Sequence, residues 1–299
     1  MKKVFKALLA LLIVTICVCA CTACNKDDAE KEESSKKSSS SRDVSEKDKK
    51  IEKEPLKKDN SKSKVAEKKK RKNTESKGNI ETGEVLAVLT NAEYPPFEYL
   101  EDGEFVGAEI DMANAIAEKL GVEFEFVNAD FDSVISGVAS GKYVMAISGI
   151  TVTDQRREVV DFSIPYYVAS QAIVVVRESG ITSEGDLRGK VIGCQSGTTG
   201  EAYATDCGYN VISYNTSSDT MMALLSGRVD AVIIDRDIAS GIVSEMGGQA
   251  VVLDEKIMPE EYAIAVCPGN KGLLRQINKA ITKLKKQGRL EEIFANYGL

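Results

Sequence analysis

The nine residues Ser148-Gly149-Ile150-Thr151-Val152-Thr153-Asp154-Gln155-Arg156 gather a flexible backbone turn, hydroxyl groups and a guanidinium in one short stretch. A guanidinium presents a planar fork of donors that grips a carboxylate through two bonds. Gly149 lets a ligand come close to the backbone, whose carbonyl accepts from an ammonium, and Thr151 offers a hydroxyl and an N–H. Ser148 supplies a further polar contact. Thr153 is placed to cap a helix that carries Arg156 just inside its start. By spacing alone Arg156 reads more readily as a solvated helix arginine. Its neighbour Arg157 is expected on the surface.

Complementary chemistry lies further along. Asp235 closes the apolar run Ala231-Val-Ile-Ile, where a carboxylate needs solvent or a cation. Asp237 is a rival two residues on. Gly197-Thr198-Thr199 opens a helix whose free N–H groups favour an anion, although a threonine there also serves as a plain cap. Gln195 is its neighbour. Together these groups suit a ligand that carries both an anion and a cation, held rather than transformed. The chain has no His, which removes Ser-His-Asp and Cys-His catalysis, the HExxH zinc site and a histidine pH switch. No metal or other cofactor is implied.

The elements that must position these residues alternate between strand and helix from Ile80 onward, an α/β pattern. Strands are expected at Val85 to Leu89, Val122 to Val127, Tyr143 to Ile147, Val191 to Cys194 and Val229 to Ile234. Helices are expected at Glu109 to Leu120, stopped by Gly121, at Phe131 to Ser140, stopped by Gly141, from Thr199, at Asp219 to Ser226, and through most of Lys271 to Tyr297. The halves repeat: Gly83 and Gly189 each precede a strand that ends eight residues on, at Asn91 or Gly197, and Gly141 and Gly227 do the same for Gly149 and Asp235. Four strand ends are thereby marked. Ligands of open α/β sheets sit at the carboxyl ends of strands, so two facing lobes would pool these loops in one cleft.

Ahead of this region lie two segments of different character. Residues 1 to 24 carry three Lys and no acid, followed by an apolar run too short to span a bilayer comfortably; this reads as an export signal. Its end, Cys21-Thr22-Ala23-Cys24, resembles a bacterial lipobox, with Cys24 the expected lipidation site and Cys21 a second register. Residues 25 to 79 hold 19 Lys and Arg against 13 Asp and Glu, with ten Ser. Such a stretch buries too little apolar surface to fold and is expected to be a disordered tether, with a root-mean-square reach of roughly 40 Å. Its basic run Lys68 to Lys72 suits anionic lipid or wall polymer; an export signal upstream argues against nucleic acid. The remaining residues 80 to 299 carry 17 basic against 33 acidic side chains. If Cys24 is lipidated, Cys194, Cys207 and Cys267 remain there; an odd number is no disulfide framework. Packing as small apolar residues is expected for them, with a Cys194 to Cys207 bridge as the alternative.

The segments Asn91-Ala-Glu-Tyr94-Pro-Pro-Phe97-Glu98, Gly107-Ala-Glu-Ile-Asp-Met112, Asp130-Phe131-Asp132, Ser148 to Arg156, Val160-Asp-Phe-Ser163, Gly197-Thr198-Thr199 and Asp235 resemble, in unbroken order over 82 to 299, the bacterial extracellular solute-binding proteins of family 3, the amino-acid receptors of ABC importers. The resemblance implies a two-lobed, type II periplasmic-binding-protein-like fold. Lobe 1 would span about 82 to 173 and 266 to 299, and lobe 2 about 174 to 265. Crossovers are expected near Gln171 to Arg177 and Glu261 to Val266. The implied ligand is an L-amino acid, its carboxylate on Arg156 and Thr198 with Thr199, its ammonium on Asp235, Gly149 and Thr151. Tyr94 and Phe131 would wall its side chain, while Phe97 goes to the core. Asn91 and Ser148 complete the expected contacts. The implied partner is a membrane permease, and a lipid-anchored monomer outside the cell membrane is expected.

At Asn91, basic-residue and some glutamine receptors of the family carry Asp, a departure that weakens a lysine or arginine assignment, so a polar uncharged or broad specificity is expected. An enzyme on this fold, such as a prephenate or arogenate dehydratase with Glu93 or Asp235 as its acid, is the alternative. The amino-acid clamp accounts for Asp235 better.

Overall fold

The computed structural model describes residues 81–299. The export signal, the tether and the lipidation cysteines Cys24 or Cys21 lie outside the described residues. In chain order the elements are β1 (Val85–Thr90), β2 (Glu93–Tyr94), β3 (Glu98–Glu101), β4 (Glu104–Val106), α1 (Ala108–Leu120), β5 (Glu123–Asn128), α2 (Phe131–Ala139), β6 (Met145–Ala146), α3 (Asp154–Arg157), β7 (Asp161–Phe162) and β8 (Tyr167–Val176). They continue with β9 (Val191–Gln195), α4 (Thr199–Asp206), β10 (Asn210–Tyr214), α5 (Ser217–Leu225), β11 (Ala231–Asp235), α6 (Arg236–Glu245), β12 (Ala250–Tyr262), β13 (Ala265–Val266), α7 (Lys271–Lys286) and α8 (Arg289–Asn296).

Two five-stranded sheets, ordered β5-β1-β6-β13-β7 and β10-β9-β11-β8-β12, form the two lobes, and β2, β3 and β4 make a small third sheet. In the first sheet β1 lies between β5 and β6, and in the second β9 lies between β10 and β11, all parallel, with an antiparallel strand, β13 or β8, next to β6 or β11. The repeat read from Gly83 with Gly189 and Gly141 with Gly227 is therefore a repeat of topology, and all four glycines adopt positive φ. Strand β11 is buried at every position, as a central strand covered on both faces requires.

Helix α1 forms where apolar residues recur at helical spacing and ends at Gly121, whose φ of 70° lets its N–H bond the Ala117 carbonyl. The C-terminal helical stretch is two helices, because Gly288 turns left-handed at φ 68° between them. The chain enters the second sheet at Tyr167, which pairs with Tyr262. The first passage between lobes thus precedes the expected Gln171 to Arg177, which already lies inside that sheet. The return runs from Tyr262 through Ala263 and Ile264 to β13, within the expected Glu261 to Val266. An aromatic cluster packs at these passages: Phe97, fully buried, stands 5.1 Å from Tyr167 and 5.6 Å from Tyr262 between ring centroids. Among the described residues Cys194, Cys207 and Cys267 are free. Cys194 packs in the core as expected, whereas Cys207 is exposed just past α4, so the packing role does not extend to it. Among the described residues no helix is long and apolar enough to cross a membrane.

Candidate functional site

Four strand ends meet around one small cavity, lined by Tyr94, Phe131, Gly149, Thr151, Arg156, Gln195, Thr198, Thr199 and Asp235. Tyr94 follows β1, Gly149 to Arg156 follow β6, Gln195 to Thr199 follow β9, and Asp235 ends β11. Eight of the ten expected site residues line this cavity.

Arg156 is set by the turn before it. Thr153, extended at φ −127°, caps α3 by accepting the Arg156 N–H at 3.1 Å. The guanidinium then reaches back to donate to the Thr151 carbonyl at 2.8 Å and across to the Gly197 carbonyl of the other lobe at 3.0 Å. It lies 5.6 Å from the centre of the Phe131 ring, within the range of a cation–π contact. Burial lowers its pKa, against the nearby charges of Glu260 and Asp235. Arg157 is exposed.

Asp235 accepts hydrogen bonds from the hydroxyls of Tyr94 and Tyr262. Burial raises its carboxyl pKa, and those two bonds oppose the rise. The tyrosines in turn are pushed well above the usual phenol range, by burial first and by Asp235 next. Asp237 lies outside this cavity and accepts from Tyr167 at 2.9 Å.

Gly149 has a φ of +50°, and a Cβ there would stand 3.2 Å from the Tyr94 ring. Its N–H donates to both oxygens of Glu109, at 3.1 and 3.0 Å. Thr151 donates its hydroxyl to Glu260 at 3.0 Å. On the second lobe Thr198 caps α4 by accepting from the Glu201 N–H at 3.2 Å, while its own hydroxyl donates to the Gln195 carbonyl at 2.7 Å. Thr199 accepts from the Gln171 amide at 3.5 Å.

Asn91 and Ser148 stand behind the cavity wall. The Asn91 amide donates to the Ala129 carbonyl at 2.9 Å and accepts from Gln195 of the facing lobe at 3.2 Å. Ser148 accepts the Asn91 N–H and donates to Glu98, both at 2.9 Å. They join the loops that carry the lining residues.

Four participants lacked a sequence signal strong enough to single them out. Glu260, Gln171 and Tyr262 come from the long strands β8 and β12, away from the strand-end loops. Glu98, on β3, and Glu109 are both fully buried. Glu109 did carry a signal, since it sits among buried apolar positions on α1, where a carboxylate needs partners; Gly149 and Tyr166 supply them.

The model of the bacterial extracellular solute-binding proteins, family 3, matches residues 86–299. The arginine-binding extracellular protein ArtP of Bacillus subtilis is 33% identical over 224 residues, covering 73% of this chain and 88% of that protein. The L-cystine-binding protein TcyJ of Escherichia coli K12 is 31% identical over 218 residues, 71% of this chain and 82% of its own. An ancestral arginine-binding protein has been solved bound to glutamine and bound to arginine; both structures are 41% identical and cover 71% of this chain and 97% of theirs, with TM-scores of 0.67 and 0.68. With the two-lobed fold and the shared cleft already in view, these matches place the chain in the bacterial extracellular solute-binding proteins, family 3.

Proposed function

We propose that this protein is the extracellular receptor of an ABC importer, capturing an L-amino acid between its lobes and delivering it to a membrane permease without changing it. The observation that carries the reading is the placement of one guanidinium, Arg156, and one carboxylate, Asp235, on the same cavity from different lobes. A zwitterionic amino acid satisfies both only when the lobes are closed, so it favours the closed form through contacts the open form lacks. Its carboxylate meets Arg156 and the free N–H groups at the start of α4; its ammonium meets Asp235, with the Gly149 carbonyl and Thr151 beside it. Tyr94 and Phe131 flank the side chain. Closure excludes water and strengthens each charged contact.

The side chain is polar, with room for more than one type. Gln195 offers an amide at the cleft, and the ancestral relative has been solved with glutamine and with arginine. Asp130 and Asp219 act electrostatically on Glu93, an acidic group of side chains that favours arginine among polar candidates. As for the dehydratase alternative, Glu93 is exposed and outside the cavity lining, and Asp235 is engaged by two tyrosines. Lipidation at Cys24, the 25–79 tether and attachment outside the cell membrane complete the reading.

A thermal-shift screen of the purified protein against the twenty amino acids, cystine and ornithine tests it. A ligand that binds only the folded state adds about 2.7 kcal/mol of stability at one hundred times its dissociation constant. Arginine and glutamine are expected to raise the melting temperature. No shift with any of them sinks the amino-acid reading, and turnover of prephenate would favour the enzyme.

A further inference from the structure

We infer that Glu260 is a second acidic residue of the ammonium subsite, paired with Asp235, and that an ammonium entering there releases a proton held between the two carboxyls. This rests on the amino-acid reading above and adds to it a residue and a proton.

Glu260 lies on β12 and is almost wholly buried, at 4% exposure. Its Oε2 accepts from the Thr151 hydroxyl at 3.0 Å and from the Gln171 amide at 3.1 Å. Thr151 is itself a cavity residue, so the carboxyl stands directly against the lining. Its other oxygen, Oε1, is buried without a donor, while Asp235 lies opposite Gln171 in the strand register and the Gln171 amide donates to Glu260, which makes the two carboxyls neighbours. A buried acceptor left without a donor is costly, and two carboxyls this close do not both ionise unless a cation separates them.

The protein's own nearby cation, Arg156 of α3, interacts electrostatically with both carboxyls, but its two hydrogen bonds go to the carbonyls of Thr151 and Gly197. The remaining titratable neighbours are Asp235 of β11, Tyr94 of β2 and Tyr262 of β12, with Glu98 and Glu109 further back on β3 and α1. None of these brings positive charge. Burial and the neighbouring Asp235 push Glu260 up to about 7, so near neutrality one proton serves both carboxyls. An ammonium carries three donors and a full charge. It offers a donor to Oε1 and replaces the shared proton, which passes to solvent, so that protonated protein plus amino acid gives complex plus one hydrogen ion.

The sign follows. Below about pH 7 the free site holds the proton, and binding must expel it, so affinity rises about tenfold per pH unit; above that the proton is already gone and affinity levels off.

The test is calorimetry of L-arginine and L-glutamine binding to the intact protein at pH 6, in buffers of low and high ionisation enthalpy, with affinities followed from pH 5.5 to 8. About one proton released per ligand is expected, together with a pH dependence that flattens near 7. In Glu260→Gln the release should fall to near zero, the pH profile should flatten throughout, and affinity at pH 7.5 should drop about tenfold. Binding with no proton release in the wild type overturns the inference while leaving the amino-acid reading intact; so does release that persists unchanged in the variant. Absence of binding by any amino acid overturns the reading beneath it. The wild-type proton count needs no variant and decides the question if Glu260→Gln does not fold.

Discussion

The hydroxyl of Tyr94, just beyond the first strand of lobe 1, donates to the carboxylate of Asp235 at the end of a lobe 2 strand, so a hydrogen bond joins the lobes where the ligand ammonium is expected. The same carboxylate also accepts from Tyr262. Tyr94→Phe keeps the aromatic wall and removes only the cross-lobe donor. A hydrogen bond to a charged group contributes about 1.5–3 kcal/mol, and a domain of this size shifts by roughly 2–4 °C per kcal/mol. The ligand-free variant is expected to melt several degrees lower in calorimetry. An unchanged melting temperature would mean that the bond contributes nothing across the cleft.

Arg156→Ala and Arg157→Ala remove adjacent charges with opposite expected results. Arg156 lines the cavity, and removing one partner of a buried, hydrogen-bonded charge pair costs about 2–5 kcal/mol. Affinity for arginine or glutamine should therefore fall by more than about thirtyfold, which 2 kcal/mol represents, in Arg156→Ala. Arg157 is exposed and rests 5.8 Å from the Phe162 ring; its loss should change affinity less than twofold. Equal affinities in the two variants would refute the carboxylate role.

The arginine and the aspartate were legible in the sequence because each breaks a local pattern: Asp235 terminates an apolar strand, and Arg156 follows a Gly-Ile-Thr turn at a strand end. Glycine stops before the strands also made the duplicated topology readable, since a left-handed residue between helix and strand is a local requirement. Glu260 and Gln171 were hidden for a different reason. They lie on β12 and β8, and β12 changes register between Val252 and Lys256 and again between Ile257 and Pro259. Each bulge resets which side chains face inward, so strand alternation cannot say that Glu260 is buried while Glu261 is exposed. Asn91 failed in the opposite way: its type suited a ligand contact, but two local partners, the Ala129 carbonyl and Gln195, engage its amide.

Glu98 and Glu109 are both fully buried in lobe 1, and the charge of Glu109 acts on Glu98; this makes a prediction about stability against pH. Burial pushes both carboxyls up, Glu98 furthest because Glu109 adds its charge. A carboxyl whose folded pKa is raised holds its proton in the folded state after the unfolded chain has released it. Stability is then greatest below the unfolded value of about 4.3 and falls as pH rises through the folded value. Glu98→Gln keeps a group of the same shape that can accept from Ser148, without a proton to lose. Urea unfolding should find the wild type less stable at pH 8 than at pH 5, and the variant should narrow that gap by gaining stability at pH 8. A gap of the same width in both proteins would show that Glu98 is not the group that titrates.

Gly197 separates closure from stability. Its φ is +77°, and a Cβ would stand 2.8 Å from Cα of Asp132 in the facing lobe, a backbone atom that cannot move aside cheaply. Gly208 has nearly the same φ, +75°, with nothing within 4 Å of an added Cβ. Alanine at either position meets the left-handed penalty of about 1–2 kcal/mol, so both variants should lose similar stability. Only Gly197→Ala also meets the other lobe. Small-angle scattering with saturating arginine should show Gly208→Ala contracting as the wild type does, while Gly197→Ala keeps the radius of gyration of the ligand-free protein and binds at least tenfold more weakly. If both variants contract and bind alike, the Gly197–Asp132 contact is not part of the closed state that holds the ligand, and capture would have to proceed without the approach that lets Arg156 reach the Gly197 carbonyl.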